Sequence, residues 1–170
     1  MRRHFNNAMV LGLAFSFGAC GRPEPAQVAT NEPIVRQLFA AIDAGNLDRV
    51  QQLVTDDLAL HVLGVPQALS KDVLIQAINT FYAAFPDNTH AIEQTLEAGD
   101  RVAVMLTQHA TSKGPYEGAA PTGQPVTIPA IHIMRVSNGR IQEWWALEDN
   151  LGLMQQLGME LRPKTPPESK

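Results

Sequence analysis

The chain has 170 residues, with 13 lysine and arginine side chains against 17 aspartates and glutamates and a formal net charge of −4. This length is enough for one ordinary domain with a hydrophobic core, and not for two. An acidic chain without basic runs argues against nucleic-acid binding and against electrostatic docking on anionic lipid. The single cysteine, Cys20, excludes an intramolecular disulfide.

The N-terminal residues have the order of an export signal. A basic start at residues 2–3, an apolar stretch over residues 8–17 and small residues at 18–19 precede Cys20. The apolar stretch is shorter than the roughly 18 residues that a membrane span needs. The segment resembles a lipobox, which implies a lipid on Cys20 and anchoring to the cell envelope, on the periplasmic side of the outer membrane if the source is Gram-negative. An ordinary cleavable signal peptide with a cysteine nearby is the alternative.

Composition divides the chain into four parts. We predict a signal peptide over residues 1–19, a Pro-rich tether over residues 20–30, one folded domain over residues 31–161 and a disordered tail over residues 162–170.

Helices come first in the folded domain. Apolar residues recur at helical spacing after Asn31, which can cap the first helix, and this pattern ends at Gly45. A second, short helix ends before Thr55. A third and longer helix begins after Ser70 and is stopped by Pro86.

Strands dominate the rest of the domain. Strand patterns cover residues 58–62, 90–97, 101–107, 126–136 and 141–147. Turn residues at 98–100 and at 137–139 predict hairpins, and a final short helix runs from Leu151 to Gly158. Helices followed by hairpin-linked strands predict an α+β fold with an antiparallel sheet.

Several motifs together carry a family resemblance. They are Ala84-Phe85-Pro86-Asp87 and the segments 97–104, 121–126, 138–149 and 151–158. In this order and spacing they resemble the SnoaL-like polyketide cyclase (ester cyclase) family of the nuclear transport factor 2-like superfamily. The resemblance implies a cone-shaped α+β barrel, in which a curved, mostly antiparallel sheet wraps against three N-terminal helices around an apolar pocket. It also implies that two copies can pair as a homodimer.

Asp149 is the first catalytic candidate. In cyclases of the family, an aspartate in a Trp-x-x-x-Asp setting after the last strand acts as acid and base in an aldol cyclisation, and Trp145 and Asp149 match that spacing. Strand alternation predicts that Glu143 shares a face with Trp145 and Asp149, and that Glu148 faces the opposite side. Asp149 could instead cap the closing helix.

His132 is the second catalytic candidate. It lies in an apolar stripe on its strand, so it is either a pocket residue that shuttles protons or a hydrogen-bonded core histidine. His90 is expected at the surface. The residues expected to bind ligand are Trp145, His61, Glu143, His109 and Phe85.

The sequence lacks metal-ligand spacing, a phosphate-binding loop, a nucleotide fingerprint and a serine-nucleophile motif, so we expect neither metal nor cofactor. The expected function is a cyclase or isomerase acting by acid and base on a small apolar or aromatic carbonyl compound. A non-catalytic periplasmic binding lipoprotein is the alternative, because export separates the pocket from polyketide synthesis in the cytoplasm. A structural role in an envelope complex is a third hypothesis.

Overall fold

A computed structural model describes residues 30–160 and residue 162. The predicted signal peptide, Cys20, most of the tether and nearly all of the tail lie outside these residues. The described residues form the helices α1 (Glu32–Asp43), α2 (Leu47–Leu53), α3 (Lys71–Ala84) and α4 (Asn150–Gln156). None of these helices has the length and apolar character that a membrane crossing requires.

The helix ends follow from local sequence. Asn31 occupies the N-cap position of α1, and Pro33 lies in the first turn, where its missing N–H costs no hydrogen bond. The Asn46 side chain caps α2 by accepting a hydrogen bond of 3.0 Å from the backbone N–H of Arg49. The helices predicted from the sequence are therefore confirmed at nearly the expected bounds.

Within the described residues, five strands form a single curved sheet. They are β1 (Val54–Val62), β2 (Thr89–Ala98), β3 (Arg101–Thr111), β4 (Pro125–Ser137) and β5 (Arg140–Glu148). Their order is β1-β5-β4-β3-β2, with β1 parallel to β5 and every other pair antiparallel. The predicted α+β class is confirmed, with a sheet that curves against the helices and stays open at its edges.

The main core lies between the inner face of the sheet and the helices α1 and α3. Helix α1 contributes a fully buried stripe that includes Leu38 and Phe39, and β4 buries every second residue from Val126 to Val136. His132 belongs to this buried series, so the predicted apolar stripe on β4 is confirmed.

A β-bulge near the start of β5 decides which of its side chains face the helices. Ile141 and Glu143 pair with consecutive residues of β4, so Gln142 is an extra residue in β5. Such an insertion reverses the alternation of side chains beyond it. Trp144 is consequently 5 % exposed and packed in the core, and Glu148 faces the helices as well.

Trp145 and Glu143 share a face of β5, as the alternation predicts, but that face points away from the helices and not into the pocket where both were expected. Both side chains lie on the outer face of the sheet. The Trp145 ring stacks on His61 with centroids 4.9 Å apart, and the Arg101 guanidinium lies 5.0 Å from the same ring. Glu143 pairs with Arg135 at 3.0 Å between carboxylate Oε2 and Nε.

The two adjacent tryptophans provide a matched test of this bulge. We expect Trp144→Phe to lower the free energy of unfolding by about 2–3 kcal/mol, because it opens a cavity and removes the indole N–H that is bonded to His132. Trp145→Phe on the outer face should cost less than about 1 kcal/mol. Urea denaturation followed by circular dichroism measures both variants, and the reverse ranking would contradict the register of β5.

Candidate functional site

A cavity of about 270 Å³ lies between α1, α3 and the inner face of the sheet. Its walls are mainly apolar and come from both helices and from β1 and β5. The polar side chains that line it include Asn88, His90, Gln108, His132 and Glu148. An apolar cavity with a few polar groups is the ordinary form of a small-molecule site.

The protonation of His132 is fixed by its neighbour on β5. The indole N–H of Trp144 donates a hydrogen bond of 2.9 Å to Nδ1 of His132. Because an indole N–H can only donate, Nδ1 must carry a lone pair, and the proton of the neutral ring lies on Nε2. Burial, together with the nearby His90, lowers the pKa of His132 to about 3. His132 is therefore a neutral hydrogen-bond donor and cannot serve as a base near neutral pH.

Glu148 is the carboxyl group next to this donor. Its Oε1 lies 3.9 Å from Nε2 of His132 and accepts a hydrogen bond of 3.3 Å from the side chain of Gln108. Burial raises the pKa of Glu148, and the bond from Gln108 and the neighbouring His90 offset only part of this effect. A third of the side chain remains exposed, and Glu148 lines the cavity, so the carboxyl can reach a bound molecule.

A contact between α1 and β2 places a second histidine at the cavity. The carboxylate of Asp43, the last residue of α1, lies 2.5 Å from Nδ1 of His90 and also accepts the backbone N–H of His90 at 3.2 Å. The His90 ring packs on Phe39 at 4.9 Å between centroids. His90 is partly buried and lines the cavity, so the prediction that it lies at the surface is wrong.

Two buried atoms of the cavity lining have no hydrogen-bond partner among the described residues. They are Nε2 of His132, a donor, and Oδ1 of Asn88, an acceptor. Since buried polar groups are nearly always hydrogen-bonded, a bound molecule or water would have to supply the missing partners. Within the part of the chain that the structure describes, no three His, Cys, Asp or Glu side chains converge as a metal site would require.

Asp149 lies outside the cavity lining. It is exposed and occupies the N-cap position of α4, where its Oδ1 accepts the backbone N–H of Gly152 at 2.8 Å. The structure thus places Asp149 in the capping position that the sequence left open as an alternative. The spacing Trp-x-x-x-acid is also met by Trp144 and Glu148, and this is the pair that the structure brings to the cavity.

The structure does not bring the five expected ligand-binding residues together. Trp145, His61 and Glu143 make the outer-face contacts described above. His109 is exposed on β3, and Phe85 is fully buried in a second core cluster beside α4. Of the predicted catalytic and ligand-binding residues, all of which the structure describes, only His132 lines the cavity.

A curved sheet that encloses an apolar cavity with acid and base side chains defines a pocket protein of the nuclear transport factor 2-like class. The family model of the SnoaL-like polyketide cyclases matches residues 33–157. The chain therefore belongs to the SnoaL-like polyketide cyclase family, as the sequence motifs predict.

Solved structures agree with this assignment. The proposed polyketide cyclase IdmH from Streptomyces antibioticus is 25 % identical, with a TM-score of 0.71 over 77 % of this chain and 100 % of that chain. A proposed polyketide cyclase from Bacillus cereus ATCC 10987 is 32 % identical, with a TM-score of 0.62 over 74 % of this chain and 78 % of that chain.

The same fold also occurs in a relative with a different proposed activity. AclR from Streptomyces galilaeus, a proposed hydroxylase, is 23 % identical with a TM-score of 0.70, over 75 % of this chain and 95 % of that chain. None of the curated proteins matches the chain.

The burial of His132 predicts a pH-dependent stability. Unfolded chains bind a proton on this histidine below about pH 6.5, whereas the folded protein keeps it neutral down to about pH 3. The unfolded state thus binds more protons between these values, so stability falls as the pH is lowered, by up to about 1.4 kcal/mol per pH unit. We expect His132→Asn, which keeps an acceptor for Trp144, to flatten this slope.

Urea denaturation at a series of pH values measures the slope. His109→Asn, the same substitution at an exposed histidine of β3, is the matched control variant. Glu148 has the opposite effect on the pH dependence of stability, because its raised pKa lets the folded state hold a proton that the unfolded state releases. The contribution of His132 is therefore the difference between the pH slopes of the wild-type protein and of His132→Asn. Equal slopes would contradict a neutral His132 in the folded state.

Proposed function

We propose that the protein is a cofactor-independent acid/base enzyme, a cyclase or isomerase that acts on a small apolar carbonyl compound. The observation that carries this proposal is the pairing of Glu148, whose pKa is raised by burial, with the neutral N–H donor of His132 in an apolar cavity. Membership of a cyclase family supports the reaction class, and the relatives described as proposed cyclases have the same fold.

The two groups suit the demands of carbonyl chemistry. Removal of a proton next to a carbonyl, or attack on the carbonyl carbon, places negative charge on the oxygen. A fixed donor such as Nε2–H of His132 stabilises that charge without changing its own protonation. A carboxyl group with a raised pKa can then give its proton to the oxygen and regain it later, which is general acid/base catalysis. Glu148 takes the acid/base role in this proposal, where the sequence motif had favoured Asp149.

The adjacent acids Glu148 and Asp149 allow a direct test. The assay follows exchange of the hydrogens beside the carbonyl of 2-tetralone with D₂O by proton NMR. We expect Glu148→Gln to slow the protein-catalysed exchange by about 100-fold or more. Asp149→Asn should leave the rate and the free energy of unfolding nearly unchanged, because the amide oxygen of asparagine can still accept the capping N–H of Gly152.

The opposite pattern, with exchange lost in Asp149→Asn and kept in Glu148→Gln, would assign the chemistry to Asp149 instead. A wild-type protein that binds 2-naphthol, a phenolic analogue of the enolate, but exchanges nothing would contradict the enzyme proposal. It would favour the alternative function, a non-catalytic binding lipoprotein. The unpaired donor of His132 and the unpaired acceptor of Asn88 agree with both functions, because an enzyme and a binding protein each need a bound molecule.

We also propose that the chain is exported and anchored through lipid on Cys20. The supporting observations are the basic start, the apolar stretch and the small residues that precede this cysteine. Expression of the full chain in a Gram-negative host with labelled palmitate tests the proposal. The wild-type protein should take up label and sediment with membranes, whereas Cys20→Ser should remain unlabelled. An unlabelled wild-type protein found in the soluble periplasm would indicate an ordinary signal peptide.

We further propose that two copies pair through the outer face of the sheet. Met105, Ile131 and Leu147 lie side by side on β3, β4 and β5 and are 41, 48 and 46 % exposed. A row of exposed apolar side chains is typical of an interface. Sedimentation velocity should find a dimer that Ile131→Glu converts to a monomer, with Thr127→Glu on the same strand as the control. A monomeric wild-type protein would contradict the pairing.

A further inference from the structure

We propose that His90, oriented by Asp43, is the group that removes the proton from carbon in the reaction proposed above. This inference rests on the proposed function and adds the base that Glu148 and His132 do not supply. Neither family motif nor strand alternation points to these two residues; the contact between them does.

Two contacts with Asp43 fix the orientation of the His90 ring. The Asp43 carboxylate accepts from both the ring Nδ1 and the backbone N–H of His90, so the ring cannot rotate without losing a charge-assisted bond. Because a carboxylate only accepts, the neutral ring of His90 carries its proton on Nδ1 and has its lone pair on Nε2. No hydrogen bond joins Nε2 to another of the described residues, and the ring lines the cavity. The free nitrogen is thus available to a bound molecule.

The charged and polar groups around His90 come from several elements. Asp43 lies on α1, Tyr82 on α3, Gln108 on β3, His132 on β4 and Glu148 on β5, and all of them except Asp43 line the same cavity as His90. Gln108 is also the register partner of His90 across the sheet. His90 on β2 is separated from His132 on β4 and Glu148 on β5 by strand β3. A substrate carbonyl directed at His132 and Glu148 can therefore present its neighbouring C–H toward His90.

The proton-transfer step balances as follows. Nε2 of His90 takes the proton from the carbon beside the carbonyl, and the electron pair of that C–H bond forms the C=C bond of an enolate. The oxygen gains the negative charge, accepts the hydrogen bond of His132 and takes a proton from Glu148. In an isomerase His90 returns its proton to a different carbon while the enol O–H returns its proton to Glu148. In a cyclase the enol carbon attacks a second carbonyl, whose oxygen takes the proton from His90 as the enol O–H returns its proton to Glu148, so both groups end in their starting states.

Asp43 is a positioning residue in this scheme. It holds the ring of His90 in one tautomer and one orientation, in the way that a third group orients the base of a nucleophile–base pair. Its removal should change the state of the His90 ring as well as the rate, and a purely structural contact would not predict the first of these effects.

The experiment uses the exchange of 2-tetralone in D₂O and the binding of 2-naphthol, both measured on the full folded domain. We expect His90→Gln to slow exchange by about 100-fold or more while it changes the dissociation constant of 2-naphthol by less than about threefold. Asp43→Asn should slow exchange by at least about tenfold. Asp48→Asn, at an exposed carboxylate of α2, is the matched control and should leave both properties unchanged.

Nitrogen NMR of ¹⁵N-labelled protein supplies a readout that does not depend on turnover. The His90 ring should show a protonated Nδ1 and an unprotonated Nε2 in the wild-type protein, and Asp43→Asn should abolish this preference. Exchange within about threefold of wild type in His90→Gln would overturn the proposal while leaving the role of Glu148 intact. Parallel loss of exchange and of 2-naphthol binding would overturn it in favour of a structural histidine. A wild-type protein without exchange activity would instead contradict the proposed function itself.

Discussion

The hydrogen bond between the Trp144 indole and His132 is the constraint on which the chemistry of the cavity depends. It occupies the only lone pair of the neutral imidazole, so His132 must present an N–H on its other nitrogen. A ring 1 % exposed cannot charge cheaply, and its orphan Nε2 lies on the cavity side near Glu148. Groups other than His132 must therefore transfer the protons. The His132 ring acts as a fixed hydrogen-bond donor that stabilises negative charge beside it.

Burial shifts the pKa of two groups in the cavity, Glu148 and His132, and a hydrogen bond orients a third group, His90. Desolvation dominates at Glu148, where one hydrogen bond of 3.3 Å from Gln108 is too weak to keep the carboxyl at its ordinary pKa. Desolvation also dominates at His132, which stays neutral. At His90 a carboxylate at 2.5 Å holds the ring. Titratable groups that are pushed toward different protonation states within one site are the ordinary arrangement for acid/base catalysis.

The sequence predicted the helices, the hairpins and the inward face of β4 because each rests on neighbours within a few residues. It failed on β5, because one unpaired residue, Gln142, reverses the alternation and no local pattern marks the bulge. It also missed His90, whose partner Asp43 lies 47 residues away on another element. Such a contact exists only once the sheet has folded against α1, so spacing along the chain cannot reveal it.

The local sequence around the end of β5 explains why two adjacent acids have separate tasks. Asp149 has the short side chain that a helix cap needs, and the residue three positions on is Gly152, where a Cβ atom would lie 2.2 Å from the Asp149 carboxylate. The cap is therefore specified by an acid and a glycine together, and it fixes the direction in which α4 leaves the sheet. Helix α4 then buries Leu153 in the second core cluster. Asp149 caps α4 outside the cavity. Glu148, the residue before it, lies on the inward face of β5 and is therefore the acid that can contact a bound molecule.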